Sequence, residues 1–390
     1  HQTETRSDAL SEGVPYAPEI LSKNGFKTLG VSAMGNISST LGFNRGFDEF
    51  IDLYKDQNLP AERSVTTPDV EKIPDEEERI LYPRAEDISE KITHWIEEYD
   101  DDQDLFIFAW AIDPHDPYDP KPGAEYFLEP EYGVSEELGR NRDTINEVSS
   151  DEGFKKLIDL YDSEIRYMDE EIGKIISKLK ENNMFDDSIF VFTGDHGESF
   201  GERKWAGDYV RAHNTPPFDE RLKVPLLFKT PSENEIKRDG FIESIDIFPS
   251  ILDILDIRHN MQGGSIFTKT KKRYTYSKTQ QEDNYAIFYS CRDKKRKYIY
   301  FEKPELKINN IISSPLHFLR HYLIKNEFIY DLEKDSMEIQ RITNIPDEYQ
   351  LKKNLNAHIH NSNSIGQKFE KKKSDADDAL EEQLRALGYQ

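Results

Sequence analysis

The sequence is poor in three things, and each shortage excludes a class of protein. It has a single cysteine, Cys291, so it can hold neither an intramolecular disulfide framework nor a multi-cysteine zinc site. No stretch approaches the roughly 18 consecutive apolar residues of a membrane-spanning helix. Cations are scarce, with 51 Lys and Arg against 76 Asp and Glu, for a formal net charge of -25. A surface of that sign repels phosphate backbones and anionic headgroups, so neither nucleic acid nor an acidic membrane is an expected partner. Two readings of the excess acid stay open. One is solubility in concentrated salt, where screening shortens self-repulsion; the other is an ordinary acidic protein that still carries many lysines. No secretory leader is visible, which leans to a cytoplasmic address, but the chain opens on His1 and not on Met, so localisation is left open.

What is present suffices for a large core. The 390 residues, 36% of them hydrophobic and 12% aromatic, fit one large α/β domain or two ordinary ones of about 150 residues each. Near the start, APEILSKNGFKTLGVSAMGN reads as a short helix starting after Pro18, an Asn-Gly stop, and a strand from Lys27 to about Ala33. KDQNLPAERSVTTPDVEKIPDEEERI is acidic and aperiodic, a surface excursion. AEDISEKITHWIEEY then sets Ile88, Ile92, Trp95 and Ile96 at helical spacing. DLFIFAWAID follows as a continuous apolar strand, the pattern of a parallel sheet covered on both faces. A long helix comes next, with Leu157, Ile158, Tyr161, Ile165, Met168, Ile172, Ile176 and Leu179 on one face, ending at Asn182 and Asn183.

SIFVFTG and KVPLLFK read as further strands, and Asp246 as the opening of a helix in SIDIFPSILDILDI. This alternation predicts an α/β fold, a doubly wound and mostly parallel sheet flanked by helices, with ligands outside the carboxyl ends of the strands. Beyond about residue 265 the texture changes to antiparallel strands in NYAIFYSCRDKKRKYIYFEKP and NEFIYDLEKDSMEIQRITN. The expected organisation is therefore an α/β domain over residues 1–264, a smaller β-rich subdomain over 265–350, and a polar tail over 351–390 with a short helix near Leu380, Leu384 and Leu387.

The densest chemistry lies in IFVFTGDHGESFGER. An apolar strand runs into Gly194, and Asp195 and His196 stand side by side at its carboxyl end. Glycine allows a tight turn there, and a carboxylate beside a neutral imidazole suits a divalent cation. The alternative is that Asp195 caps the turn and His196 only packs. His115, in AIDPHDPYDP, follows the strand ending near Ile112 and so falls at the same predicted rim, in a loop stiffened by prolines 114, 117 and 120. His213 just precedes another predicted central strand.

DPHDPY, the long helix, FTGDHGESFGE, AHNTPPFDERLKVPLLF and SIDIFPSILDIL resemble, in order and spacing, successive motifs of the sulfatase family within the alkaline phosphatase superfamily. GFKTLGVSAMGNISSTLGFNRGFDEF upstream and YDLEKDSMEIQRITN downstream extend the resemblance from Leu10 to about Asn344. The resemblance implies an alkaline phosphatase-like fold and hydrolysis of sulfate esters, carried on a small molecule or a glycan. It places Asp195 and His196 on metal-ligand positions, for calcium first, with magnesium or manganese as alternatives. It places His115 on a histidine that contacts the sulfuryl group, and His213 on a position meeting the ester oxygens and the leaving group. Asn36 falls near a polar site residue. These roles agree with the chemistry, since displacement at a sulfate ester needs neutralised non-bridging oxygens, an in-line nucleophile and a proton for the departing alkoxide.

The family's nucleophile, a modified Cys or Ser in Cys/Ser-x-Pro-x-Arg or an unmodified Ser or Thr in relatives, has no counterpart in the sequence. The family's acid pair on the preceding strand has none either. Cys291 in SCRDK lacks the proline and arginine, and SSPLH at Ser313 ends in His317 where arginine is required. The resemblance starts just downstream of that nucleophile, so the leading expectation is a sulfuric ester hydrolase preceded by about 80 further residues. The alternatives are a phosphodiesterase or phosphonate monoesterase of the same superfamily, and a non-catalytic metal- or anion-binding remnant.

Overall fold

A computed structural model of the chain describes residues 8–56, 83–100, 102–129, 132–135, 138–139, 142–205, 207–213, 216–231, 240–268, 273–280, 287–303, 323–347, 349–367, 372–373 and 380. Most of the acidic excursion before residue 83, Ser313 with His317, and most of the expected C-terminal helix lie outside the described residues. The chain divides into two compact units. One comprises residues 1–188, 257–261 and 366–390, and the other 189–256 and 262–365.

The first unit contains β1 (Asp8–Ala9), α1 (Ala17–Lys23), β2 (Lys27–Ser32), β3 (Glu49–Asp52), α2 (Ala85–Glu97), β4 (Leu105–Trp110), α3 (Arg142–Glu147) and α4 (Asp151–Glu181). Proline in the first turn starts α1, where its fixed φ fits and its missing N–H costs nothing. The helix stops at Asn24, followed by Gly25 at φ 91°. β3, β2 and β4 form a parallel sheet in that order, with Leu29 opposite both Glu49 and Ile107. α2 is the crossover before β4. Its Ile88, Ile92, Trp95 and Ile96 pack on Leu29, Val31, Leu53 and Ile112 as their spacing predicts. β4 is less covered than its apolar run suggests: its residues are half-buried and Ala109 is exposed, because among the described residues it pairs on one edge only, with β2.

Ser150 caps α4, its hydroxyl accepting the Gly153 N–H at 3.1 Å. The buried stripe of this helix differs from the expected one. Ile158 and Ile165 are 38% and 42% exposed, while the buried side chains are Phe154, Lys156, Leu157, Leu160, Ser163, Glu164, Tyr167 and Glu171. Two carboxylates sit in that stripe because each has a donor: the Asp119 N–H at 3.0 Å for Glu164 and the Ser89 hydroxyl at 2.6 Å for Glu171. A pattern read from hydrophobicity alone rotates past such acids.

The second unit contains β5 (Phe190–Thr193), β6 (Ser199–Trp205), β7 (Asp208–Ala212), α5 (Asp219–Leu222), β8 (Leu226–Lys229), α6 (Ile247–Ile254), β9 (Thr275–Gln280), β10 (Ile287–Arg292), β11 (Arg296–Glu302), β12 (Glu327–Asp331) and α7 (Gln350–Gly366). A final short strand, β13 (Lys372–Lys373), pairs with β1 in the first unit. β5 and β8, which the alternation of elements places in a parallel sheet, pair antiparallel, Thr193 opposite Leu226. The β6–β7 hairpin and α5 turn the chain back between them. β12, β11, β10 and β9 form an antiparallel sheet in that order. One face packs on a core of Trp205, Val210, Phe218, Phe288, Ile299, Phe301, Phe328 and Tyr330. α7, which the sequence does not announce, contributes Leu351 and Leu355 to a cluster with Cys291, Tyr298 and Ile329. Burial pushes the Cys291 thiol up to about 12, which makes it a packing residue and not a nucleophile. Asp246 does mark a helix start: it precedes α6, and its carboxylate accepts the Glu243 and Gly264 N–H groups at 3.0 and 2.9 Å.

The fold class is thus the one expected, mixed α/β with a parallel sheet and a separate antiparallel β-rich region toward the C-terminus. Among the described residues no helix is long and apolar enough to cross a membrane.

Candidate active site

β5 ends at Thr193, whose hydroxyl donates to the Pro225 carbonyl at 2.9 Å and fastens the strand to the approach of β8. Gly194 follows, and Asp195 and His196 project half-exposed, at 49% and 36% of their side-chain surface. Asp195 Oδ1 accepts the His196 N–H at 2.8 Å, while Oδ2 lies 3.6 Å from His196 Nε2. His196 Nδ1 lies 2.9 Å from the Gly197 carbonyl. A carbonyl only accepts, so Nδ1 carries the hydrogen and, in the neutral ring, Nε2 presents its lone pair on the side of the Asp195 carboxylate. Metal-binding histidines commonly have this arrangement, the second nitrogen held by a backbone oxygen.

Gly197 is required by crowding. Its N–H donates to the Arg221 carbonyl at 2.9 Å, and a Cβ there would fall on the Glu220 carbonyl oxygen. Glu220 in turn accepts from the Ser199 hydroxyl at 3.3 Å and pairs with Arg203. The turn bearing the acid and imidazole is therefore held against α5.

His213 follows β7, and its ring lies 4.3 Å from that of His196, inclined by 31°. Its Nδ1 lies 3.6 Å from Glu198 Oε2, with the Glu198 side chain only 5% exposed. Arg221 is also buried, and burial pulls its guanidinium down to about 10 against the opposing pull of Glu198 and Glu220. The structure thus brings Asp195, His196 and His213 together in the second unit.

His115 and Asn36 belong to the first unit. His115 is buried, its Nδ1 lying 2.6 Å from the Asp116 carbonyl, so its neutral ring also keeps the lone pair on Nε2. The loop around it is gripped by α4: the ring of Tyr118 meets Tyr161 edge-on at 5.7 Å, and Glu164 accepts the Asp119 N–H. Burial, with Asp113 adding to it, holds the Glu164 carboxyl well above the usual carboxylate range. Asn36 lies half-buried in a single 3-10 turn, Gly35–Ile37, shortly after β2.

Sequence reasoning missed Glu198, Glu220, Arg221 and Glu164. Glu198 had a signal, standing two positions past His196 and just before β6. Glu164 had a fainter one, an acid inside a helical stripe otherwise filled by Leu157, Leu160 and Tyr167. No group of three His, Cys, Asp or Glu side chains among the described residues could hold a metal ion. The donor set of Asp195 and His196, one carboxylate and one imidazole lone pair on the same side, fits one part of the coordination shell of a divalent cation.

Fold and site together define a mixed α/β protein with a carboxylate–imidazole pair in the turn that follows β5. The Sulfatase family model matches residues 1–257, and the chain belongs to the sulfatase family. It is 23% identical over 293 residues to an arylsulfatase of Clostridium perfringens, an alignment covering 64% of this chain and 58% of that protein. The chain therefore spans less than two thirds of the length of the curated relatives with which it aligns. Among solved structures, the phosphonate monoester hydrolase of Agrobacterium radiobacter superposes with a TM-score of 0.64 at 15% identity, over 94% of this chain and 83% of that one. A protein solved in complex with its substrate D-glucosamine-2-N,6-O-disulfate superposes with a TM-score of 0.61 at 15% identity, over 93% of this chain and 84% of that one. At such identities the two structures speak to the fold alone.

Proposed function

We propose that the chain is the metal- and leaving-group-binding part of a sulfate ester hydrolase. The observation that carries this reading is the Asp195–His196 pair with the Nε2 lone pair left free, its imidazole beside the ring of His213, in a member of the sulfatase family. Asp195 and His196 would hold one divalent cation, calcium before magnesium or manganese, which when bound would supply charge neutralisation for the sulfuryl oxygens. His213, oriented by Glu198, delivers the proton to the departing alkoxide. The family resemblance gives His115, its Nδ1–H held on the Asp116 carbonyl, a contact with the sulfuryl group and gives Asn36 a polar contact. The substrate is a sulfate ester on a small molecule or glycan, a choice favoured by the sulfated glucosamine seen with one structural neighbour.

A phosphonate or phosphate ester is the second reading, favoured by the likeness to a phosphonate monoester hydrolase. The test is side-by-side binding of phenyl sulfate, phenylphosphonate and diphenyl phosphate to the purified chain with calcium or manganese, measured by calorimetry. Tighter binding of the sulfate supports the first reading, and tighter binding of the phosphonate or diester supports the second. Metal binding with no affinity for any of the three would refute both.

A further inference from the structure

In the second unit, far along the chain from Asp195, stands a lysine with no exposed surface. Lys297 of β11 donates to the Pro217 carbonyl at 3.0 Å and forms ion pairs with Asp219 Oδ1 at 2.6 Å and Glu338 Oε1 at 2.7 Å. The other Glu338 oxygen accepts the Asp219 N–H at 2.7 Å. Asp219 Oδ2 also receives Lys223 at 2.9 Å and Arg292 of β10 at 3.1 Å. Burial would raise the Asp219 carboxyl, but Lys297, with Lys223 and Arg292, outweighs it and holds the group below its ordinary value. Glu338 is delivered to this cluster by a backbone in the left-handed region, φ 55°, although it is not glycine. Strained backbone of this kind persists where surrounding contacts over-determine it.

All these bonds converge on one short stretch, residues 217–219, which opens α5. That helix is the element on which the Asp195–His196 turn rests, through Gly197 N–H to the Arg221 carbonyl and Ser199 to Glu220. We infer that Lys297, with Glu338, is a positioning residue for the Asp195–His196 pair: the antiparallel sheet bolts α5 in place, and α5 holds the turn. This rests on the reading of Asp195 and His196 as metal ligands. It gives the β-rich region a part in the site beyond packing.

Lys297→Met keeps the volume and removes the charge, but it leaves the buried Glu338 carboxylate without its lysine, while Asp219 keeps Lys223 and Arg292, and it can prevent folding. The double variant Lys297→Met with Glu338→Gln removes that charge along with the lysine and serves as the folded control. Hydrogen exchange on the full chain without metal should show the Gly197 amide exchanging at least tenfold faster in the folded variant, with amides of β2 and α4 unchanged. The upfield ring-current shifts that His196 and His213 impose on each other's imidazole signals should shrink in parallel. Calcium affinity, measured separately by titration, should fall at least tenfold. Unchanged Gly197 exchange and unchanged imidazole shifts in a folded variant would overturn the inference. If the parent chain binds none of calcium, magnesium and manganese, the metal reading fails, while exchange and imidazole shifts still decide whether Lys297 positions the turn.

Discussion

Asp195, His196 and Glu164 show how single side chains are set by their immediate partners. Asp195 and His196 are legible in the sequence as a candidate pair because a glycine, an acid and an imidazole follow an apolar strand. The tautomer is not legible, since it depends on where the Gly197 carbonyl points. Glu164 carries a pH prediction. Its carboxyl titrates well above the ordinary range because burial and Asp113 oppose its charge. A folded-state pKa above the unfolded one gives stability that is full below the unfolded value, about 4.3, and is lost as pH rises through the folded value. Glu164→Gln cannot ionise, so urea unfolding should show the parent losing stability relative to the variant as pH is raised from 5.5 to 9. A pH-independent difference between the two would refute the assignment.

At the scale of elements, local signals identify the helices and strands but not how the strands pair. α1, β2, α2 and β4 follow from proline, glycine and apolar spacing, and the motif positions follow from them. Which strands join β5 depends on the hairpin and α5 that intervene, a long-range outcome no local pattern encodes. The rotation of α4 escapes the apolar pattern for the same reason, because buried Glu164 and Glu171 each accept a hydrogen bond from a residue outside α4. Two substitutions test the local account. Ser150→Ala removes the cap of α4 and should cost about 1 kcal/mol by urea unfolding; no change would mean that the cap is replaced. Gly197→Ala forces a Cβ onto the Glu220 carbonyl and should cost about 1–3 kcal/mol, as overpacking does. It should also separate the His196 and His213 rings, read from their imidazole shifts, and an unperturbed spectrum would contradict the proposed contact.

For the whole molecule, the excess of acid is the strongest physical signal in the composition. With a net charge of -25, self-repulsion opposes the folded state and is screened as the Debye length falls from about 30 Å at 0.01 M salt to about 8 Å at 0.15 M. The thermal midpoint should therefore rise over that range of sodium chloride, and a fall would show that specific ion pairs outweigh the net repulsion. The two units each have their own core, and the change of texture from alternating strands and helices to antiparallel strands is visible in the sequence. That a buried lysine of the later sheet reaches the element beneath the candidate metal ligands is not, because the contact joins residues 80 positions apart.

The most direct test of the central claim is calorimetric titration of calcium and of manganese into the purified chain and into its Asp195→Ala variant, with folding of both checked by circular dichroism. Saturable binding at one site in the parent, lost in the folded variant, is the predicted result. Equal binding by both proteins, or none by either, would contradict the assignment of Asp195 and His196 as metal ligands.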